Sequence, residues 1–445
     1  MVRNGSMLWG TTAINSLAGW MFWMLAARTI SDNQVGLAIA SINAMTLSAL
    51  VASCGIGYAM ITLLPRVAQG QQRAGVVAAA LTMTTITALL AVGVQLAVLP
   101  RLNARLGSAI TGAWPVYVLV GTVLLTWFIV IDQVFVAHRA ADGMLVRNST
   151  MAVCKVLGLG VAVALGFTSQ NGLIGAWFVA AAVSLAVVVW YARRRLPQLF
   201  VRPPAGWLAN SRAIARPSVL HHIAQIGGAL PGLLLPVVVL VQAGSKASAH
   251  AYVAWMICGL LFAVSSAVSS ALFAEGSHAD IDLDHQTRTA ARTIGLLLAI
   301  GSLGLIVIGR PLLGLFGSAY ASEGYPLLIL LLLAAIPDAV ANIGIARWRV
   351  HNRLGRVAAL QSIQGIVCLG AAWIFVDRWG AVGLGWAFVA SQTVIAAVLI
   401  LVNMVADEQS PGSSPTPGPV STLHSDLRAT QVPTRSIRQE VRSSP

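Results

Sequence analysis

Charge is what this 445-residue chain has least of: only 9% of its residues are Asp, Glu, Lys or Arg, against roughly 25% in an ordinary soluble domain. With 57% hydrophobic residues, that scarcity argues against a soluble fold. Acidic groups are the rarer kind, 14 against 28 basic ones, for a net charge of +14. Cysteine is limited to Cys54, Cys154, Cys258 and Cys368, each inside an apolar run. Structural disulfides and a metal site are therefore not expected, and each thiol reads as a small apolar side chain. No Gly-x-x-x-x-Gly-Lys-Ser/Thr loop occurs, so the chain carries no recognisable nucleotide-powered engine, and no cofactor is indicated. A cleavable signal peptide is not evident, because the first apolar stretch is long enough to be a full span.

What the sequence has in abundance is apolar runs near the roughly 20 residues needed to cross a bilayer. They lie at 8–27, 36–63, 76–99, 114–137, 149–168, 172–192, 216–242, 249–273, 290–309, 325–347, 357–376 and 380–403. These twelve predict an all-α polytopic membrane protein. With the N-terminus placed in the cytoplasm, Arg3, Arg66, Arg73, Arg139, Arg147, Arg193, Arg194, Arg195, Arg202, Arg212, Arg216, Arg288, Arg292, Arg347, Arg349, Arg353 and Arg356 fall inside. Only Arg28, Arg101, Arg105, Lys246, Arg310 and Arg378 approach the outer face. This positive-inside bias predicts a plasma-membrane protein with both termini cytoplasmic. The basic charge then favours anionic headgroups as partners rather than nucleic acid.

Shifting the sequence by about 209 residues brings landmarks into register, the signature of an internal repeat. Arg101 falls on Arg310, and Leu106-Gly107-Ser108-Ala109 meets Phe316-Gly317-Ser318-Ala319 after one insertion. Leu145-Val146-Arg147 meets Leu354-Gly355-Arg356, and Gly172 to Gly175 meets Gly380 to Gly383. A shift of six spans leaves both copies running the same way through the membrane. The expected architecture is two parallel six-helix lobes around a central cavity, with an N-terminal lobe at 1–192, a basic cytoplasmic linker at 193–215 and a C-terminal lobe at 216–405. Residues 406–445, rich in Ser, Pro, Thr and Gly, are expected to be a disordered cytoplasmic tail. The outer loops 100–113 and 310–324 are too short to form a domain.

A charge at the bilayer centre costs at least about 2.5–3.5 kcal/mol, so polar residues within spans mark candidate sites. Asp132 and Lys155 sit about 8 Å below the inner interface on consecutive spans, at 1.5 Å per residue, and could pair. Asp338 in span ten follows Pro337 and has Asn342 one turn below it on the same face. A proline-interrupted span is tolerated where it faces protein or a water-filled cavity, which makes Asp338 the first candidate for a protonation switch, beside Asp132. Span seven carries His221, His222, Gln225, Gly227, Gly228, Pro231 and Pro236. Its prolines and glycines predict a kink, His221 is a candidate for proton handling, and Gln225 for substrate contact. Each also has a structural reading: an ion pair for Asp132 and Lys155, a buried structural carboxylate for Asp338, and interfacial positioning, the default, for the histidines.

Ala27-Arg28-Thr29-Ile30 with Gly36, Leu63-Leu64-Pro65, Leu315-Phe316-Gly317-Ser318-Ala319-Tyr320 and Gly380-Ala381-Val382-Gly383 together resemble the polysaccharide repeat-unit flippases. That family belongs to the multidrug/oligosaccharidyl-lipid/polysaccharide exporter superfamily. The resemblance runs over about residues 5 to 403. It implies a transporter, not an enzyme, that moves an undecaprenyl-pyrophosphate-linked oligosaccharide across the membrane by alternating access. It also implies glycan-assembly enzymes as partners. Arg28 would meet the pyrophosphate, with Lys155, Asn342 and Gln225 as further substrate contacts. The alternatives are a cation-coupled drug antiporter of the related extrusion branch, and a membrane-embedded polysaccharide polymerase or scaffold.

Overall fold

The computed structural model describes residues 2–67, 70–102, 114–207, 219–276 and 282–408. Among them there are helices and two single 3-10 turns and no strand. The helices are α1 (Val2–Thr29), α2 (Asp32–Ala52), α3 (Ile56–Leu63), α4 (Gln71–Leu102), α5 (Trp114–Ala137), α6 (Ala141–Ala164) and α7 (Gln170–Arg195). They continue as α8 (Val219–Ala243), α9 (Ser245–Gly276), α10 (Leu283–Gly314), α11 (Ser318–Val350), α12 (Leu354–Trp379) and α13 (Ala381–Glu408). Eleven of the helices among the described residues are long and apolar enough to cross a membrane, and α1 adds a further 28-residue helix where the first span is expected. The protein is multi-pass. Large apolar side chains such as Leu296, Leu303, Val307, Ile366 and Ile374 stay exposed, as hydrocarbon-facing positions do where lipid replaces water.

Packing repeats with a six-span shift. α1 lies on α6 as α8 lies on α12, α2 on α5 as α9 on α11, α4 on α5 as α10 on α11, and α2 on α4 as α9 on α10. This is the two-lobe arrangement, and the lobes meet where α2 packs against α8 and α9. Residues Met1–Ala397 form one compact unit that contains both lobes. The second unit, Val398–Pro445, is represented by the closing turns of α13, and the tail beyond Glu408 lies outside the described residues.

Glycine sets the closest crossings. A β-carbon at Gly227 of α8 would stand 2.6 Å from the Ser362 amide nitrogen of α12, and one at Gly365 would stand 2.7 Å from the Gly227 carbonyl. A β-carbon at Gly36 of α2 would collide with the Ser245 carbonyl at the start of α9. Small residues at such points let backbones touch, which is how helices associate without a hydrophobic driving force.

Three expectations need correction. The run 36–63 is not one helix: it breaks at Ser53-Cys54-Gly55, where Cys54 and Gly55 take left-handed backbone angles, φ 46 and φ 68. Ser53 Oγ turns back to donate to the Leu50 carbonyl at 2.7 Å, so the sequence signal was a serine and a glycine inside an apolar run. The loop expected over 310–324 is a turn of Leu315, Phe316 and Gly317, because α10 continues to Gly314 and α11 starts at Ser318. The basic link after span six is helical through Arg195 and then makes a 3-10 turn at Pro197–Leu199; residues 208–218 lie outside the described residues. Span seven is a single helix running through Pro231 and Pro236.

Candidate functional site

Two polar constellations lie inside the lobes. In the N-terminal lobe, Asp132 on α5 does not pair with Lys155. Arg147, from the second turn of α6, takes both carboxylate oxygens: Nε donates to Oδ1 at 2.7 Å and Nη2 to Oδ2 at 2.6 Å. The two side chains are 10% and 13% exposed, so this is a buried bidentate pair, the geometry in which Arg outperforms Lys. Arg147 Nη2 also donates to Asn148 Oδ1 at 2.9 Å, and that oxygen accepts from Asn15 Nδ2 of α1 at 2.9 Å. The guanidinium lies 4.6 Å from the Phe128 ring centroid. This network ties α1, α5 and α6 together and fits a structural role. Lys155 instead points toward α1, with Nζ 5.8 Å from the Phe22 ring centroid, and among the described residues it has no ion-pair partner.

In the C-terminal lobe, Asp338 of α11 is 9% exposed and is ringed by amides. Asn342 Nδ2 donates to Oδ2 at 3.0 Å and Gln392 Nε2 of α13 donates to Oδ1 at 3.1 Å. Gln364 Nε2 of α12 donates to Gln392 Oε1 at 3.1 Å. Among the described residues no cation pairs with Asp338. These groups line a cavity of about 300 Å³ together with Gln361, Trp255 and Phe388. The rings of Trp255, Phe262 and Phe388 pack on one another with centroids 4.8 to 5.9 Å apart. Gln361 Oε1 is buried with no hydrogen-bond partner among the described residues. Such an acceptor costs about 1–3 kcal/mol, which a ligand hydroxyl or ammonium entering the cavity would offset. A carboxylate, four amides and an aromatic wall can hold a polyhydroxyl ring or a small cation.

A third feature is a groove of about 540 Å³ between the lobes, walled by α2, α4 and α8. Its lining is mainly Leu, Val and Ala, including Leu47, Leu90, Val94 and Leu234, together with Cys54 and, from α5, Trp114, and with Ser41, Ser48, Thr87 and Gln95 as its polar members. Ser48 Oγ donates to Gln95 Oε1 across it. The shape suits a hydrocarbon chain with one polar edge.

The remaining sequence candidates are dispersed. Arg28 donates from Nε to the Leu315 carbonyl at 2.7 Å and from Nη2 to the Gly314 carbonyl at 3.0 Å. It thereby satisfies carbonyls left open where α10 ends, across the seam from its own lobe. Gln225 is exposed on α8, away from the Asp338 cavity lining. The side chain of His221 lies outside the described residues; its neighbour His222 faces the Val51 carbonyl of α2 at 3.2 Å. Sequence reading brought out Asp338 and Asn342 but missed Gln361, Gln364, Gln392, Trp255 and Phe388. Three glutamines inside the last two apolar runs were the available signal.

The helix order, the duplicated lobes and the seam between them define a class of fold, two parallel six-span lobes, which solved membrane transporters share. The chain is similar to an inward-facing multidrug resistance MATE family transporter of the MOP superfamily, with TM-score 0.68, 14% identity, 89% of this chain and 96% of the other. It is similar to the lipid II flippase MurJ in an inward closed conformation, with TM-score 0.68, 12% identity, 88% of this chain and 86% of the other. Against an outward-facing MATE family transporter the TM-score is 0.57, with 12% identity over 92% of this chain and 96% of the other. No family model matches the sequence, and no curated protein matches it.

Proposed function

We propose that this protein is a plasma-membrane flippase for a lipid-linked oligosaccharide or polysaccharide precursor, with both termini cytoplasmic, working by rocking of two lobes about their seam. The observation that carries this reading is the Asp338 cavity. Planar hydrogen-bonding groups, Asp338, Asn342, Gln361, Gln364 and Gln392, line it with the Trp255 and Phe388 rings. Sugars need that combination, since each hydroxyl both donates and accepts while ring C–H faces sit on aromatic surface. The apolar groove along α2, α4 and α8 would keep a prenyl chain in hydrocarbon while the headgroup crosses. Its shape explains how an amphiphile could move without its tail leaving lipid. A fold shared with the lipid II flippase MurJ supports the same reading. The better fit to an inward-facing than to an outward-facing transporter, 0.68 against 0.57, supports assigning the end at which α1 stops to the outer side, because that end is closed here.

In this reading Asp338 takes up the coupling proton or cation, Lys155 and Arg28 offer positive charge to a diphosphate, and the basic residues Arg193 to Arg195 rest on anionic lipid. A second reading, a cation-coupled drug antiporter, is favoured by the absence of a cationic partner for Asp338 among the described residues. Depletion of the protein separates the two. Trapping of lipid-linked oligosaccharide in the inner leaflet, seen as protection from an externally added lectin or hydrolase, is expected of the flippase. Full surface access of the glycan together with lost dye efflux would establish the antiporter instead.

A further inference from the structure

At the end where α1 stops and α2 begins, the seam is held by a histidine between two acids. His250, on α9, is 1% exposed. Its Nε2 is 2.8 Å from Asp32 Oδ2 at the start of α2, and its Nδ1 is 2.8 Å from Glu323 Oε2 in the first turns of α11. Asp32 belongs to the N-terminal lobe, and His250 and Glu323 to the C-terminal lobe, so the histidine joins one lobe to the other.

A carboxylate offers only acceptors, and a neutral imidazole has a single N–H. Two short contacts to two acids therefore require one proton more than a neutral ring with two carboxylates holds. That proton resides either on the ring, making it imidazolium, or on one of the acids, which then donates to the ring. We infer that Asp32, His250 and Glu323 constitute a single proton-binding site whose occupancy locks the lobes together at this end, and whose deprotonation releases them.

Further charged groups face the site. Lys246 Nζ stands 3.9 Å from Glu323 Oε1, on the same lobe as His250. The Tyr320 ring of α11 lies edge-on to the imidazole with centroids 4.4 Å apart. From α1, Arg28 reaches the Gly314 and Leu315 carbonyls, and α10 adds the exposed Arg310. Asp32 sits in the first turn of α2, where the helix dipole favours a carboxylate. When the extra proton leaves, a neutral ring with one N–H is left between two carboxylates. The contact to Asp32 across the seam is then either a bond from an uncharged ring or a lone pair facing a carboxylate, and it is weaker than before in both cases. With Asp32 25% and Glu323 51% exposed, the proton reaches solvent without passing through the core. Around this site Asn33 and Ser245 join the lobes through their side chains, and Trp23 packs edge-on against Tyr252 with centroids 5.3 Å apart.

The inference rests on lobes that rock and is independent of the substrate. Its test reads lobe separation with no substrate present. Spin labels at Phe167→Cys, in the exposed link after α6, and at Trp379→Cys, the exposed end of α12 on the opposite lobe, are placed in a full-length chain whose four native cysteines are replaced. Pulsed electron resonance is expected to give a short distance near pH 5 and an open fraction about tenfold or more larger near pH 9, the scale of one lost charge-assisted bond. Asp32→Asn is expected to stay closed at both, because an amide donates to the bare Nε2 of a neutral ring. Hydrogen exchange of the α2 and α9 starts in the unlabelled wild-type chain supplies the same comparison if the cysteine-free background fails to fold. Wild-type separation that does not respond to pH overturns the proposal. So does an Asp32→Asn chain that keeps the wild-type response, or one that is open at both pH values.

Discussion

Arg147→Gln tests how much of the N-terminal lobe hangs on one ion pair. The guanidinium makes two bonds to Asp132 at 2.6 and 2.7 Å and one to Asn148 at 2.9 Å, with both members of the pair about nine-tenths covered. Removing one partner of a buried pair strands the other charge, at a cost of about 3–5 kcal/mol. Glutamine retains one donor for Asp132, so the lower part of that range, about 3 kcal/mol, is the expectation. Combining it with Asp132→Asn leaves two amides that bond to each other and no charge, and recovery to within about 1 kcal/mol of wild type is expected. The measurement is unfolding in detergent followed by intrinsic tryptophan fluorescence, with all four corners of the cycle determined. A single Arg147→Gln change that costs less than about 1 kcal/mol, or two single changes that simply add, refutes the assignment of this pair as the tie between α5 and α6.

Asp338→Asn keeps the acceptor used by Gln392 and removes the charge, so folded stability should stay within about 1 kcal/mol while transport falls at least about tenfold; equal loss of membrane abundance would mark the residue as structural. Lys155→Met should leave stability within about 1 kcal/mol, since no acid pairs with Lys155, and any transport defect it causes would then report headgroup binding. Gly36→Leu forces α2 off the Ser245 carbonyl, and the same spin-label pair should show the lobes parted even at low pH; an unchanged distance would mean the crossing does not hold the seam. Gln361→Leu removes an unpaired buried acceptor and should stabilise the substrate-free protein by about 1 kcal/mol or more while weakening transport, as read by melting and leaflet-trapping assays.

Spans and their duplication were legible because hydropathy and repeat register act over tens of residues, and the end of every run 114–137 to 380–403 falls within a few residues of a helix end. Asp338 was legible because one acid in an apolar run has few explanations. The partner of Asp132 was not. Arg147 read as a topology marker at the edge of span five, whereas α6 starts at Ala141 and carries it inside the lobe. The lock was harder still. Asp32, His250 and Glu323 are 218 and 73 residues apart along the chain, and each sits near a span end, where polar residues are ordinary. Only the crossing of α2 with α9 makes three unremarkable residues into one group. The apolar groove could not be anticipated either, because its Leu and Val lining is indistinguishable in sequence from lipid-facing surface.

The left-handed pair Cys54-Gly55 has a mechanical corollary. α2 stands against both α8 and α9, so any change in how the lobes lean must be taken up by it, whereas α3 is packed on α5 and anchored within a single lobe. A rigid continuous rod would lever that anchored segment each time it leaned. With the joint in place the upper shaft can swivel while its foot stays planted, so stiffening the elbow, for instance by Gly55→Ala, would slow cycling without touching any residue that meets substrate.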